Sequence, residues 1–148
     1  MRSVKREFFE SKVRLDRVNE EGQTVKFTEL YVVDSMSFTE CESRVIGYVG
    51  QYTSGEFDVL TESRAQYGEI FFSDKEGEDV WYKVKVDFIT LDERTAKEKH
   101  CKTIYLVQGA SVDSAKKNTD EALGGSMADY KIVSVSETAV QDIILKDE

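Results

Sequence analysis

Proline is absent from this chain, cysteine occurs twice and histidine once. No functional consequence follows from the missing proline. Cys41 and Cys101 form no CxxC and no Cys/His pairing at metal-ligand spacing, which leaves no zinc module or other metal site to propose. Both are expected to be reduced, buried thiols. The lone His100 stands at the start of a predicted strand, where a surface or satisfied histidine is a simpler reading than a catalytic base. Basic residues are also short. The net charge is -9 and the pI is near 4.8, which counts against a general nucleic-acid binder, because such proteins gain affinity by neutralising phosphates. Double-stranded DNA is therefore not an expected partner.

Long apolar runs are missing too. Nothing approaches the roughly 18 consecutive apolar residues that a membrane span needs. The start "MRSVKREFFE" has basic residues without an apolar stretch behind them, so it does not read as a secretory signal. A cytosolic setting, of a cell or of an infected cell, is the expectation. The phosphate-loop, dinucleotide, zincin and nucleophile-elbow motifs do not occur. "GGS" at Gly124 to Ser126 reads as a helix stop, and Glu20-Glu21, Glu76-Glu78-Asp79 and Asp92-Glu93 fall in predicted turns as solvated carboxylates. No catalytic residue and no cofactor are assigned.

What is present is a soluble-type composition, 40% hydrophobic and 33% charged, in a length that suits one ordinary domain or two small ones. It is also written twice. Phe8-Phe9-Glu10-Ser11-Lys12-Val13 lies over Trp81-Tyr82-Lys83-Val84-Lys85-Val86, and Leu30-Tyr31-Val32-Val33 over Ile104-Tyr105-Leu106-Val107. Ser37-Phe38 lies over Ser111-Val112, Val49-Gly50 over Leu123-Gly124, and Glu56-Phe57-Asp58-Val59 over Asp129-Tyr130-Lys131-Ile132. The offset stays at 73 or 74, and matches in order at constant offset mark an internal duplication.

Each copy reads as β-β-α-β. Phe9, Ser11, Val13 and Leu15 alternate with Glu10, Lys12, Arg14 and Asp16, as Tyr82, Val84, Val86 and Phe88 alternate with Lys83, Lys85 and Asp87; period two is the mark of a half-buried strand. The turns "NEEGQ" and "DERTAKE" lead to second strands "TVKFTELYVVD" and "CKTIYLVQG". Ser37 with Glu40 predicts a capping box, and Phe38, Cys41, Val45 and Val49 share a helical face. Ser111 caps the second helix, with Val112, Ala115, Ala122 and Leu123 as its face. Gly50 and Gly124-Gly125 are expected to stop the helices in the left-handed conformation. "EFDVLTESR" and "DYKIVSVSE" close the units.

The predicted fold is α+β, with β-β-α-β units in pseudo-twofold symmetry and antiparallel sheets packed by two helices. One domain is expected, built of repeats 8–65 and 80–139, a linker 66–79 carrying Ile70-Phe71-Phe72, and a tail 140–148. Units this small bury too little surface alone, so the halves are expected to share a sheet or a core. The tail should dock Ile143, Ile144 and Leu145 onto the partner half or another chain.

Two features could carry function. The second strands are apolar on both faces, and a strand apolar on both faces is covered on both. Either the other half covers Leu30, Val32, Ile104 and Leu106, or these four form a homo-oligomer interface or a ligand groove. Phe8 and Trp81 also stand on the charged face, beside Lys12, Arg14, Lys83 and Lys85. Aromatics flanked by cations can stack a base and hold phosphates; edge packing among solvated charges is the plainer account.

The paired line W/F-F/Y-x-x-K-V, "FTE", "SGEF" and "MADYKIVSVSETAVQDI" together resemble a family of uncharacterised small proteins. The family is a domain of unknown function common in phages and prophages of gut bacteria, including crAss-like phages. The resemblance runs from Phe8 to about Ile144 and brings no activity or site residues. It implies a phage accessory protein in the host cytoplasm. The leading expectation is a non-catalytic protein that counters host defence by binding a nucleotide signal or a host protein. The alternatives are a single-stranded DNA-binding replication or recombination accessory and a structural or assembly protein.

Overall fold

Alternation fixes the first long strand: Phe9, Ser11, Val13 and Leu15 are buried while Lys12 and Arg14 are exposed. The computed structural model describes residues 1–53 and 55–146. In chain order it contains β1 (Arg2–Val4), β2 (Phe8–Val18), β3 (Thr24–Asp34), α1 (Phe38–Tyr52), β4 (Phe57–Arg64) and β5 (Glu69–Phe72). Then follow β6 (Val80–Leu91), β7 (Glu98–Gly109), α2 (Val112–Leu123), β8 (Asp129–Glu137) and β9 (Val140–Ile144). The fold is α+β, and the β-β-α-β order recurs from β2 to β4 and from β6 to β8. Among the described residues, no helix is long and apolar enough to cross a membrane.

The chain forms two compact units, each with its own sheet. The unit of the first repeat has strand order β4-β2-β3-β9. Its core joins Phe9, Val13, Leu15, Tyr31 and Val33 of the sheet to Cys41, Val45 and Val49 of α1, with Ile144 from β9. The unit of the second repeat has strand order β1-β5-β7-β6-β8. Phe71, Tyr82, Val84, Val86, Tyr105 and Val107 there pack with Ala115 of α2. The two repeats therefore do not share a sheet.

Instead, each unit is completed by a strand from outside its own repeat. β5 follows the first repeat in sequence yet pairs with β7, through Glu69↔Tyr105, Ile70↔Leu106 and Phe71↔Val107. β9 follows the second repeat yet pairs with β3, through Tyr31↔Asp142, Val32↔Ile143 and Val33↔Ile144. Glu69-Ile70-Phe71 and Asp142-Ile143-Ile144 are themselves related by the repeat offset of 73. The duplicated unit is therefore β-β-α-β-β, and its last strand is exchanged between the copies in the same register. The tail docks on the other repeat, as expected. Both exchanged pairings are parallel, so the sheets are mixed rather than purely antiparallel.

The duplication extends to irregularities. The β2–β4 ladder slips between Lys12 and Val13, and the β6–β8 ladder between Lys85 and Val86. These are equivalent positions, and the extra residues are Leu60 and Val133 on the outer strands β4 and β8. A bulge bends an edge strand and makes it a poor template for further pairing.

Three local expectations are corrected. α1 passes through Gly50 and ends at Tyr52, with Thr53 extended at φ -123 as its C-cap, while Gly124 caps α2 in the right-handed region at φ -60. The left-handed glycines are Gly22, in the β2–β3 turn, and Gly77, in the segment before β6. At the N-termini, Ser37 Oγ accepts from Glu40 N at 3.1 Å, but the Glu40 carboxylate accepts from Met36 N rather than from the cap. The reciprocal box forms instead at α2, where Ser114 replaces the usual acid. Cys41 is buried and Cys101 exposed, both free. Cys101 escapes burial because it sits near the outer end of β7, short of the stretch that α2 covers.

Ile144 lies in the first repeat's core although it follows the second repeat in sequence. Ile144→Ala is expected to cost about 2–5 kcal/mol. Hydrogen exchange should quicken in β3 and α1 while β6 and β7 keep their protection. Loss confined to β8, the chain neighbour of β9, would contradict the exchange.

Candidate functional site

The hairpin ends of β2 and β3 and the last turn of α1 line a groove of about 320 Å³, with Leu15, Asp16, Arg17, Phe27, Glu29, Tyr31, Val49, Tyr52 and Thr53 on its walls. Odd-numbered positions of both strands face the helix, which puts Leu15 and Arg17 beside Phe27, Glu29 and Tyr31. The Glu29 side chain is only 15% exposed, and a carboxylate so far withdrawn from water needs partners. It has two. Tyr31 donates its hydroxyl to the Glu29 carboxylate, and the Arg17 guanidinium stands 3.8 Å from it.

An aromatic series runs from this point to the surface. Tyr31 meets Tyr48 edge-on at 5.6 Å between centroids, and Tyr48 meets Tyr52 at 4.8 Å. Tyr48 donates its hydroxyl to Asp142 on the exchanged strand β9. Tyr52 is 73% exposed. Arg17 lays its guanidinium over Phe27, 4.2 Å from the ring centre. Burial, and then the hydrogen bond to Glu29, holds the Tyr31 hydroxyl well above the usual phenol range. Burial and the bond to Asp142 do the same for Tyr48. Both phenols therefore stay protonated as fixed donors. α1 carries no basic residue in its last turn, so the partial negative charge of its C-terminus faces the groove uncompensated from within the helix.

A second polar cluster, in the other unit, is structural. Asn118 is fully buried. It donates to Glu78 Oε1 and to the Gln108 carbonyl, both at 2.9 Å, and accepts from Lys75 Nζ at 3.0 Å. Ser73 Oγ donates to the same Glu78 carboxylate, and Gln108 Oε1 accepts from Ser73 N at 2.9 Å. The network fastens the segment before β6 to α2 and β7. The Ser73 bond, with help from Asn118, holds the Glu78 carboxyl below the usual carboxylate range.

The residues singled out from sequence are placed as follows. Phe8 is 3% and Trp81 4% exposed, and Trp81 packs edge-on against Phe72 at 5.3 Å, so neither ring offers a face to a base. Lys12, Arg14 and Lys83 are exposed and Lys85 half-buried, with Arg14 bonded to Asp58 at 2.8 Å. The aromatic and cationic positions do share a strand face, but that face is buried at one end and solvated at the other. Leu30 and Ile104 are half-buried, while Val32 and Leu106 are fully buried, so these four do not form an exposed apolar surface. His100 is exposed, with Nδ1 2.7 Å from Asp87 Oδ2 and Nε2 3.5 Å from Glu98, a partnered surface histidine. Among the described residues, no group of three or more His, Cys, Asp and Glu side chains is placed to hold a metal ion.

Sequence reasoning passed over the groove. Two signals pointed to it: Tyr48 and Tyr52 are spaced i, i+4 on a helix, and in Phe27-Thr28-Glu29-Leu30-Tyr31 a carboxylate alternates with two aromatics on one strand face.

Removing Asn118 leaves polar partners buried without a donor. Asn118→Ala is expected to lower stability by about 1–3 kcal/mol in urea unfolding. Glu78 contributes stability that is complete above the ordinary carboxylate pKa and is lost as pH falls through its lower folded value. Glu78→Gln should therefore flatten the acid limb of the stability curve; an unchanged limb would count against the network.

No curated protein and no solved structure matches the chain. A family model does match, over residues 7–146, and the chain belongs to that family, the domain of unknown function DUF4494.

Proposed function

We propose that this is a non-catalytic phage accessory protein that acts in the host cytoplasm by binding, and that it takes a host protein rather than a nucleotide signal. The phage setting rests on the family resemblance in the sequence. The binding surface is the groove at the end of α1. One observation carries the choice of partner: the groove converges exposed aromatic surface with the Glu29 carboxylate and a helix C-terminus. A phosphate would meet mostly negative charge there, and the chain's -9 would oppose its approach. A protein surface with basic and apolar side chains fits both. Burial of Phe8 and Trp81 removes the stacking platform that a nucleotide or a single DNA strand would use.

The test is capture from infected host cells with wild type and Tyr52→Ala, alongside native mass spectrometry of the purified protein. Tyr52 is mostly exposed, so its loss should leave the unfolding temperature within a few degrees of wild type. The expected result is a defined host protein retained by wild type and lost by Tyr52→Ala, with no adduct of nucleotide mass. A retained nucleotide, or capture indifferent to Tyr52, would overturn the reading.

A further inference from the structure

We infer that the groove receives a guanidinium or ammonium side chain of the partner, in the place that the chain's own Arg17 now fills. This rests on the binding reading above and names its chemistry. Arg17 serves as an internal stand-in. Its guanidinium lies 4.2 Å over the Phe27 ring and 3.8 Å from Glu29, the two contacts that a cation seeks from an aromatic face and a carboxylate. Its side chain is 68% exposed and stands 3.8 Å from a carboxylate that is 15% exposed, too far for a direct hydrogen bond, so an incoming cation that reaches closer can displace it.

The rest of the groove is built for the same charge. The hydroxyls of Tyr31 and Tyr48 are already committed to Glu29 and Asp142. What those residues leave to a ligand is ring surface and carboxylate oxygen. The end of α1 adds negative potential, with no basic side chain in its last turn to cancel it. Among the described residues, Arg17 is the one cation on the groove wall. For an anionic ligand it would be the anchor; for a cationic ligand it is the competitor. The two assignments therefore predict opposite effects of removing it.

The test uses the full chain and three probes: a short Gly/Ser-flanked arginine peptide, the same peptide with citrulline replacing arginine, and AMP. Binding is read by calorimetry and by shifts of the Tyr52 and Phe27 ring resonances. The arginine peptide should bind wild type, bind Arg17→Ala about two- to fivefold more tightly, and lose affinity in Tyr52→Ala. Citrulline, which keeps the shape and loses the charge, should bind much more weakly, and AMP should not bind. The inference is overturned if Arg17→Ala weakens arginine binding or leaves it unchanged, if citrulline equals arginine, or if AMP binds wild type and is lost in Arg17→Ala. Should no arginine peptide bind while Tyr52→Ala still loses the captured host protein, the cation assignment fails and the binding reading stands.

Discussion

The parallel pairing of β3 with β9, and of β7 with β5, is the contact on which both units depend. Without it, β3 would present the backbone groups of its most buried stretch, Tyr31 to Val33, at an open sheet edge. Unpaired buried backbone is costly, and an open edge invites foreign pairing. The supplied strand satisfies those groups. It also adds Ile144 to one core and Phe71 to the other. Because each strand comes from the other repeat's end of the chain, neither repeat is complete by its own sequence. A unit of three strands and one helix is near the lower limit of independent stability; the exchange is how two such units both pass it. The opposite edges carry the paired bulges at Leu60 and Val133, so one edge of each sheet is filled and the other is bent.

Much of this was legible because it is local. Period-two alternation fixed the long strands, and β3 and β8 match their predicted spans, Thr24–Asp34 and Asp129–Glu137. Ser37 and Ser111 cap the helices as their sequences suggest. What stayed hidden is long-range or short. β1 has three residues and no pattern to read. The pairing of β9 with β3 has no signature near either strand; only the match of Ile70-Phe71 to Ile143-Ile144 hinted at it. The helix stops failed for a specific reason. A glycine near a helix end permits the left-handed turn without requiring it, and Thr53 and Gly124 end these helices in other conformations.

The aromatic and cationic positions picked out from sequence come apart for a related reason. Alternation says which side chains share a face, but not where along that face burial ends. Phe8 shares its face with Lys12 and Arg14, yet it sits at the buried end and they at the solvated end. Glu29 shows the reverse case. Read by parity it belongs to the core side of β3, and a carboxylate there implies partners. Those partners, Tyr31 and Arg17, lie on the same side of the β2–β3 hairpin, so the groove could be reached from sequence by asking what an inward acid needs.

Comparison of the two repeats separates scaffold from site. At the repeat offset, Tyr31 corresponds to Tyr105, Val33 to Val107, and Asp142 to Glu69. These are core and exchange positions, and both copies keep their character. The groove positions do not correspond. Arg17 becomes Thr90, Phe27 becomes Cys101, Glu29 becomes Thr103, Tyr48 becomes Ala122 and Tyr52 becomes Ser126. The second repeat folds into the same kind of sheet and helix with these substitutions in place, so the fold does not require the aromatic, acidic and cationic set. A tyrosine that is 73% exposed contributes little to a core. Its company with Phe27, Glu29 and Arg17 in one copy alone is what a binding site grafted onto a duplicated scaffold looks like.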